Sequence, residues 1–237
     1  MTPPETDHHH HAPGWPDPGP LPAFAAFAAR RAGEPDDNDF RDDESALLTE
    51  RAVAGRRQTF RLGRAAAHAA LRGLDRDRAP ILSGPGRDPV WPDGIVGSIS
   101  HVPHLGVALV ASAADTDGVG IDIEVLGETP ELEGQVPRPE ELSWLDRAAP
   151  DDRQRLLLAL FSAKESLFKA FYPRVGTFFG FEAAALVPAP NGFTARLVSD
   201  LDAAYPRQRT FHIHCAWTDE MVLTWLILPR TPPAPPV

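Results

Sequence analysis

Cysteine is all but missing: Cys215 is the only one in 237 residues. No intrachain disulfide can form, zinc motifs built on two cysteines are excluded, and a reducing cytoplasm is the expected compartment. Long apolar runs are missing too. The uncharged stretch 221–228 is far short of the ~20 residues of a membrane-spanning helix, so no membrane partner is expected. The start is acidic and proline-rich, unlike a signal peptide. Basic side chains are the minority, 23 against 33 acidic, for a formal net charge of −10. That balance excludes a surface devoted to nucleic acid, so no nucleic-acid partner is expected and any anion site must be local. What remains, 43% hydrophobic and 24% charged, describes an ordinary globular chain long enough for one large domain or two small ones.

Punctuation by proline and glycine divides the chain. Residues 1–20 hold many helix breakers and the run His8-His9-His10-His11, and read as a loose tail, with metal binding by the histidines the lesser alternative. Residues 230–237 form a proline-rich tail. Between them, 21–126 reads as an N-terminal half, 127–140 as a Pro- and Glu-rich linker, and 141–229 as a C-terminal half. Helices are predicted over 43–57, 62–74 and 151–172. Strands are predicted near 97–101, 105–111, 118–126, 180–187, 192–198, 211–218 and 221–228. Helices then strands, twice over, predict an α+β fold of two related halves rather than a βαβ array.

Two segments carry chemistry. In Val119-Gly120-Ile121-Asp122-Ile123-Glu124-Val125, period-two alternation puts Asp122 and Glu124 on one face, about 7 Å apart. That spacing suits oxygen ligation of a hard cation; a half-buried strand with a wet acidic face is the alternative. In the helix that follows the linker, Leu157, Leu160, Phe161, Phe168 and Phe171 form an apolar stripe with Lys164 in its middle. An ammonium there must be paired, open into a polar cleft or snorkel. Glu165 and Lys169, four apart, form either a surface ion pair worth ~0.3 to 0.5 kcal/mol or, with the strand carboxylates, a third metal ligand and a cation for a phosphate leaving group.

Gly120-Ile121-Asp122-Ile123-Glu124, followed some forty residues later by Phe161-Ser162-Ala163-Lys164-Glu165-Ser166-Leu167-Phe168-Lys169, resembles the paired signature of the 4′-phosphopantetheinyl transferases of the large, monomeric Sfp type. The resemblance extends through Arg56-Arg57, Gly63-Arg64, Trp91-Pro92-Asp93-Gly94, Gly97-Ser98-Ile99-Ser100-His101 and Gly180-Phe181-Glu182. It implies a pseudo-dimeric fold with the active site between two similar halves. It also implies transfer of 4′-phosphopantetheine from coenzyme A to a serine of an apo acyl or peptidyl carrier protein, releasing adenosine 3′,5′-bisphosphate. Asp122, Glu124 and Glu165 would then hold Mg²⁺ or Mn²⁺, and Glu165 would take the serine proton directly or through water. Lys169 would serve the departing bisphosphate, with Lys164 beside the pyrophosphate. Arg56, Arg64, Ser100 and His101 would contact the coenzyme's phosphates.

The alternatives are a solvated helix face for Arg56 and Arg57, and a structural role for His101. At the level of function they are a metal-dependent nucleotide phosphohydrolase, or a non-catalytic module that binds coenzyme A or a carrier. Two departures from the family pattern stand out. Phe161 replaces a tryptophan common among relatives. Ser83 replaces a loop lysine, whose contact is either absent or supplied by Arg87.

Overall fold

Extended segments closed by tight turns build two antiparallel sheets, each backed by one long helix. The computed structural model describes residues 14–34, 39, 41–48, 53–76, 79–86, 88–127 and 130–231. The histidine run 8–11, Arg87 and residues 232–237 lie outside these. In chain order the elements are β1 (Ala25–Arg31), α1 (Asp42–Ser45), α2 (Ala54–Arg72), β2 (Leu82–Ser83), β3 (Pro89–Val90), β4 (Ile95–Val102) and β5 (Leu105–Ser112). After these come β6 (Thr116–Val125), α3 (Pro130–Glu133), α4 (Pro139–Leu145), α5 (Pro150–Val175), β7 (Ala184–Ala189), β8 (Gly192–Leu197), β9 (Thr210–Trp217) and β10 (Met221–Pro229). A 3₁₀ turn, Phe181–Ala183, precedes β7.

One sheet has the order β1-β5-β4, the other β6-β10-β9-β8-β7, and β2 and β3 form a small hairpin. Strand, two helices and four strands thus occur twice in the same order, with α3 the one addition. The mixture of helices and antiparallel sheets is the expected α+β class. Among the described residues, no helix is long and apolar enough to cross a membrane.

Several boundaries differ from the sequence reading. The two helices predicted over 43–57 and 62–74 are instead one short turn, α1, and one continuous helix, α2. Phe60, in the predicted gap, lies under the Arg64 guanidinium at 4.8 Å, and such side-chain contact overrides weak local propensity. Strand β6, expected with the N-terminal half, pairs along its length with β10. The described part of the N-terminal tail is packed: Pro16 is buried, and Trp15 lies against the core beneath the Arg31 guanidinium.

Three apolar clusters fix the layers. The α5 stripe, with Leu157, Leu160, Leu167 and Phe171, packs on Leu186, Phe193, Ile213 and Val222 of the larger sheet. Full burial of a leucine or phenylalanine stabilises by about 1.5–3 kcal/mol. The alanine-rich face of α2 packs on Val110 and Ile81. Between the sheets, Val119, Ile121 and Ile123 of β6 meet Val107 and Leu109 of β5. Strand β6 is therefore covered on both faces, by the smaller sheet on one side and α5 on the other. Gly120 permits the second contact, because a Cβ there would collide with the Ser166 carbonyl of α5.

Candidate active site

Strands β4 and β6 meet without a shared backbone ladder. Two serines of β4 close the seam instead: Ser98 Oγ accepts the Ile121 N–H at 3.1 Å and Ser100 Oγ accepts the Ile123 N–H at 3.4 Å. Asp122 and Glu124, which alternate with these isoleucines, are carried on the opposite face of β6. Asp122 is 3% exposed. Its Oδ1 accepts from Ser100 Oγ at 2.8 Å and from Lys169 Nζ at 2.6 Å, and Lys169 also reaches Ser100 Oγ at 3.2 Å. Asp122 Oδ2 is buried without a hydrogen-bond partner among the described residues. The wet acidic face is thus excluded for Asp122, and Lys169 pairs with the strand aspartate across the seam.

Glu124 and Glu165 flank this pair, both partly buried. Burial, reinforced by Asp122 and Glu165 and opposed by Lys169, pushes the Glu124 carboxyl up to about 7. Burial likewise raises Glu165, Lys169 offsets part of that rise, and Asp122 adds to it. Three carboxylates share one ammonium, so their ionised forms repel and burial penalises them. An orphaned buried carboxylate oxygen beside two carboxyls whose pKa burial and neighbouring negative charge raise fits a divalent, oxygen-preferring cation. Among the described residues no three ligating side chains already form a compact metal centre, in keeping with the Lys169 ammonium at Asp122 Oδ1.

The other lysine of α5 points elsewhere. Lys164 is buried, and its Nζ donates to Glu141 Oε2 at 2.6 Å, Val136 O at 3.0 Å and Phe181 O at 3.1 Å. Those three acceptors occupy all three protons of the ammonium. Burial lowers its pKa, and Glu141 opposes the shift. Of the alternatives read from the apolar stripe, the structure has the pairing one, with the ammonium held by Glu141 and two backbone carbonyls. Glu141, itself fully buried, also accepts the Arg138 and Leu186 N–H groups, each at 2.7 Å.

On the far side of β4 a cavity of about 620 Å³ is lined by Arg56, Phe60, Arg64, Ser83, Ile99 and His101. The sequence-predicted cations Arg56, Arg64 and His101 therefore converge. Arg64 is buried, and its Nη2 donates to Ser83 Oγ at 3.4 Å, so Ser83 takes part in the wall through an arginine. His101 keeps an exposed face. Desolvation, with Lys169 and Arg56 nearby, lowers its pKa against the opposing pull of a backbone hydrogen bond and Asp122. His101 thus lines the cavity and directly follows Ser100, whose hydroxyl holds Asp122 on the other face of β4. A second cavity, about 400 Å³, opens beside Lys169 and is walled by Trp91, Gly97, Phe168, Tyr172 and Phe178.

Sequence reading missed Glu141 and, in the N-terminal half, Glu44. One signal was available for each. Arg41 and Glu44, like Arg138 and Glu141, are spaced as the ends of a capping turn, and in both the glutamate accepts the arginine N–H. A second signal is that Lys164 and Lys169 are the only lysines in the chain.

A family model described as the 4′-phosphopantetheinyl transferase N-terminal domain matches residues 43–111. One described as the 4′-phosphopantetheinyl transferase superfamily matches residues 118–223. The junction between the two matches falls just ahead of or within the start of β6. The 4′-phosphopantetheinyl transferase Svp of Streptomyces mobaraensis is 40% identical over 185 residues, covering 75% of this chain and 74% of that protein. The 4′-phosphopantetheinyl transferase PptT of Mycobacterium tuberculosis is 36% identical over 163 residues, 66% of this chain and 70% of that one. Enterobactin synthase component D of Salmonella typhimurium is 33% identical over 165 residues, 68% of each. Fold and matches define a two-part α+β transferase. The chain belongs to the 4′-phosphopantetheinyl transferase superfamily, on the side of its actinobacterial and enterobactin-type members.

Proposed function

We propose that this enzyme transfers 4′-phosphopantetheine from coenzyme A to a serine hydroxyl of an apo acyl or peptidyl carrier protein, releasing adenosine 3′,5′-bisphosphate. The observation that carries the reading is the cluster of Asp122, Glu124, Glu165 and Lys169 on the β4–β6 seam, next to a cavity lined by Arg56, Arg64 and His101. Asp122, Glu124 and Glu165 would hold Mg²⁺ or Mn²⁺, which when bound neutralises charge on the pyrophosphate. The arginines suit the nucleotide end of the coenzyme, since a guanidinium fork matches phosphate oxygens. The cavity beside Lys169, with Trp91, Phe168, Tyr172 and Phe178 in its wall, would take the pantetheine arm.

In the transfer, the serine oxygen forms a bond to the pantetheine-bearing phosphorus, and the bond from that phosphorus to the bisphosphate oxygen breaks. The serine proton goes to Glu165, directly or through water; burial makes this carboxylate more basic than an exposed one. Lys169, held at Asp122 and Ser100, places positive charge where the leaving phosphate gains negative charge. Ser100 orients both partners of that pair. Lys164 has no place in the step. Family membership does not favour the phosphohydrolase or binding-only alternatives.

The test is intact-mass spectrometry of an apo carrier protein incubated with the enzyme, coenzyme A and Mg²⁺, with a parallel sample in EDTA. A metal-dependent gain of one phosphopantetheine, lost in Glu165→Gln, is the expected result. Hydrolysis of coenzyme A with no carrier product would overturn the reading.

A further inference from the structure

Beside β3 (Pro89) and β4 (Ile99, His101), three further pieces of chain wall the 620 Å³ cavity: the residues after α1 (Leu47, Leu48), one face of α2 (Arg56, Phe60, Arg64), and β2 (Ser83). One carboxylate ties all three. Glu44, in α1, is fully buried. Its Oε1 accepts from His68 Nε2 of α2 at 2.8 Å and from the Ile81 N–H, one residue before β2, at 2.7 Å. Its Oε2 accepts the Arg41 N–H at 3.0 Å and so closes the α1 turn. Burial by itself would raise the Glu44 pKa, but His68 and the Ile81 and Arg41 N–H groups outweigh it and hold the carboxyl below its usual range. The same charge acts on Arg64: burial pulls that guanidinium's pKa down and Glu44 pushes it back up.

We infer that Glu44 is a positioning residue for coenzyme A: it sets the spacing of α1, α2 and β2, and with it the place of Arg64, while touching no substrate. The inference rests on the proposed binding of the coenzyme's nucleotide end in this cavity. A side chain acting this way governs affinity for the nucleotide end and leaves the carboxylates and Lys169, across β4, undisturbed. Glutamine at this position keeps an oxygen for Ile81 and His68 and loses the charge that faces Arg64.

The experiment compares wild type with Glu44→Ala, Glu44→Gln, His68→Asn and Arg56→Ala. It measures KM for coenzyme A and for an apo carrier protein, kcat, the Kd of adenosine 3′,5′-bisphosphate by calorimetry, and thermal melting. Glu44→Ala is expected to raise KM for coenzyme A and the bisphosphate Kd on the order of tenfold, as displaced positioning groups do, with KM for the carrier unchanged. Glu44→Gln recovers most of that loss, and His68→Asn, which cuts only the tie to α2, gives a smaller rise in the same two constants. If Glu44→Ala does not fold, His68→Asn and Glu44→Gln carry the test. Folded variants that bind the bisphosphate as wild type does, while Arg56→Ala weakens it, overturn the positioning role alone. If Arg56→Ala also binds as wild type, the placement of the nucleotide in this cavity fails first. Equal loss of affinity for both substrates in step with lowered melting would show a merely structural contact and also overturn the inference.

Discussion

Replacing Lys164 by methionine tests whether this lysine is a strut or a substrate contact. Its ammonium and the Glu141 carboxylate are both shielded from water, at 1% and 0% side-chain exposure. Methionine would fill most of the space and leave a carboxylate buried without its counter-charge, and the Val136 and Phe181 carbonyls without their donor. Breaking one partner of a buried pair costs about 3–5 kcal/mol. Glu141 would still accept two backbone N–H groups, which places this case near the low end, at about 3 kcal/mol. Against an ordinary stability of about 5–15 kcal/mol, that loss is large. Urea unfolding followed by fluorescence of the five tryptophans reads it. In a cycle with Glu141→Gln, the double variant should lose less than the two single losses summed, with a coupling of about 1–3 kcal/mol. At a temperature where the variant remains folded, KM for coenzyme A should be unchanged. A variant as stable as wild type but with a raised KM for coenzyme A would refute the strut and return Lys164 to the substrate.

Two further outcomes follow from the seam. Folding raises the Glu124 pKa from 4.5 to about 7, so the native state holds that proton more tightly. The contribution to stability is full below about 4.5 and is lost as pH rises through about 7, at most roughly 3 kcal/mol for such a shift. In EDTA, wild type should therefore lose melting temperature between pH 5.5 and pH 8 by more than Glu124→Gln does. Adding Mg²⁺ at pH 8 should restore wild type only, and equal pH slopes in the two proteins would contradict this. Gly120→Ala sets a methyl against the Ser166 carbonyl and should destabilise by about 1–3 kcal/mol or more. Because α5 carries Glu165 and Lys169, kcat/KM in the transfer assay should fall with it; near-normal melting and activity would show that the helix has room to yield.

The parts of the molecule legible in its sequence are those governed by short periods. Alternation along 119–125 places Asp122 and Glu124 together, and the helical stripe identifies Lys164 as a charge in need of a partner. Neither period names that partner, because Glu141 lies 23 residues away and only folding brings it in. The same limit hides Glu44, whose ties reach 24 residues to His68 and 37 to Ile81. Strand β1 is illegible for another reason: Ala25–Arg31 has no clean alternation, and its partner β5 fixes it as a strand by pairing at seven positions. The resemblance singles out Ser100 as a phosphate contact, but nothing in the sequence shows that the Ser98 and Ser100 hydroxyls replace a ladder between β4 and β6.

The two buried glutamates also put the two halves in register. Glu44 and Glu141 each sit in a short helix, accept the N–H of an arginine three residues earlier, accept one N–H near the strand that follows, and pair with a basic side chain midway along the next long helix. This correspondence aligns His68 of α2 with Lys164 of α5. One and five residues further on, α5 carries Glu165 and Lys169, whereas in the first half these positions are Ala69 of α2 and Gly73, which caps its end. Gly73 has Ala26 of β1 so close that a Cβ there would approach the Ala26 methyl at 3.0 Å. Both helices lie close on their strands, α5 against Gly120 of β6 and the end of α2 against Ala26 of β1, so the difference between the halves lies in the side chains at these positions and not in the helix spacing. The repeated framework thus supplies stability in both halves, and the choice of side chains at two helical positions confines the chemistry to one.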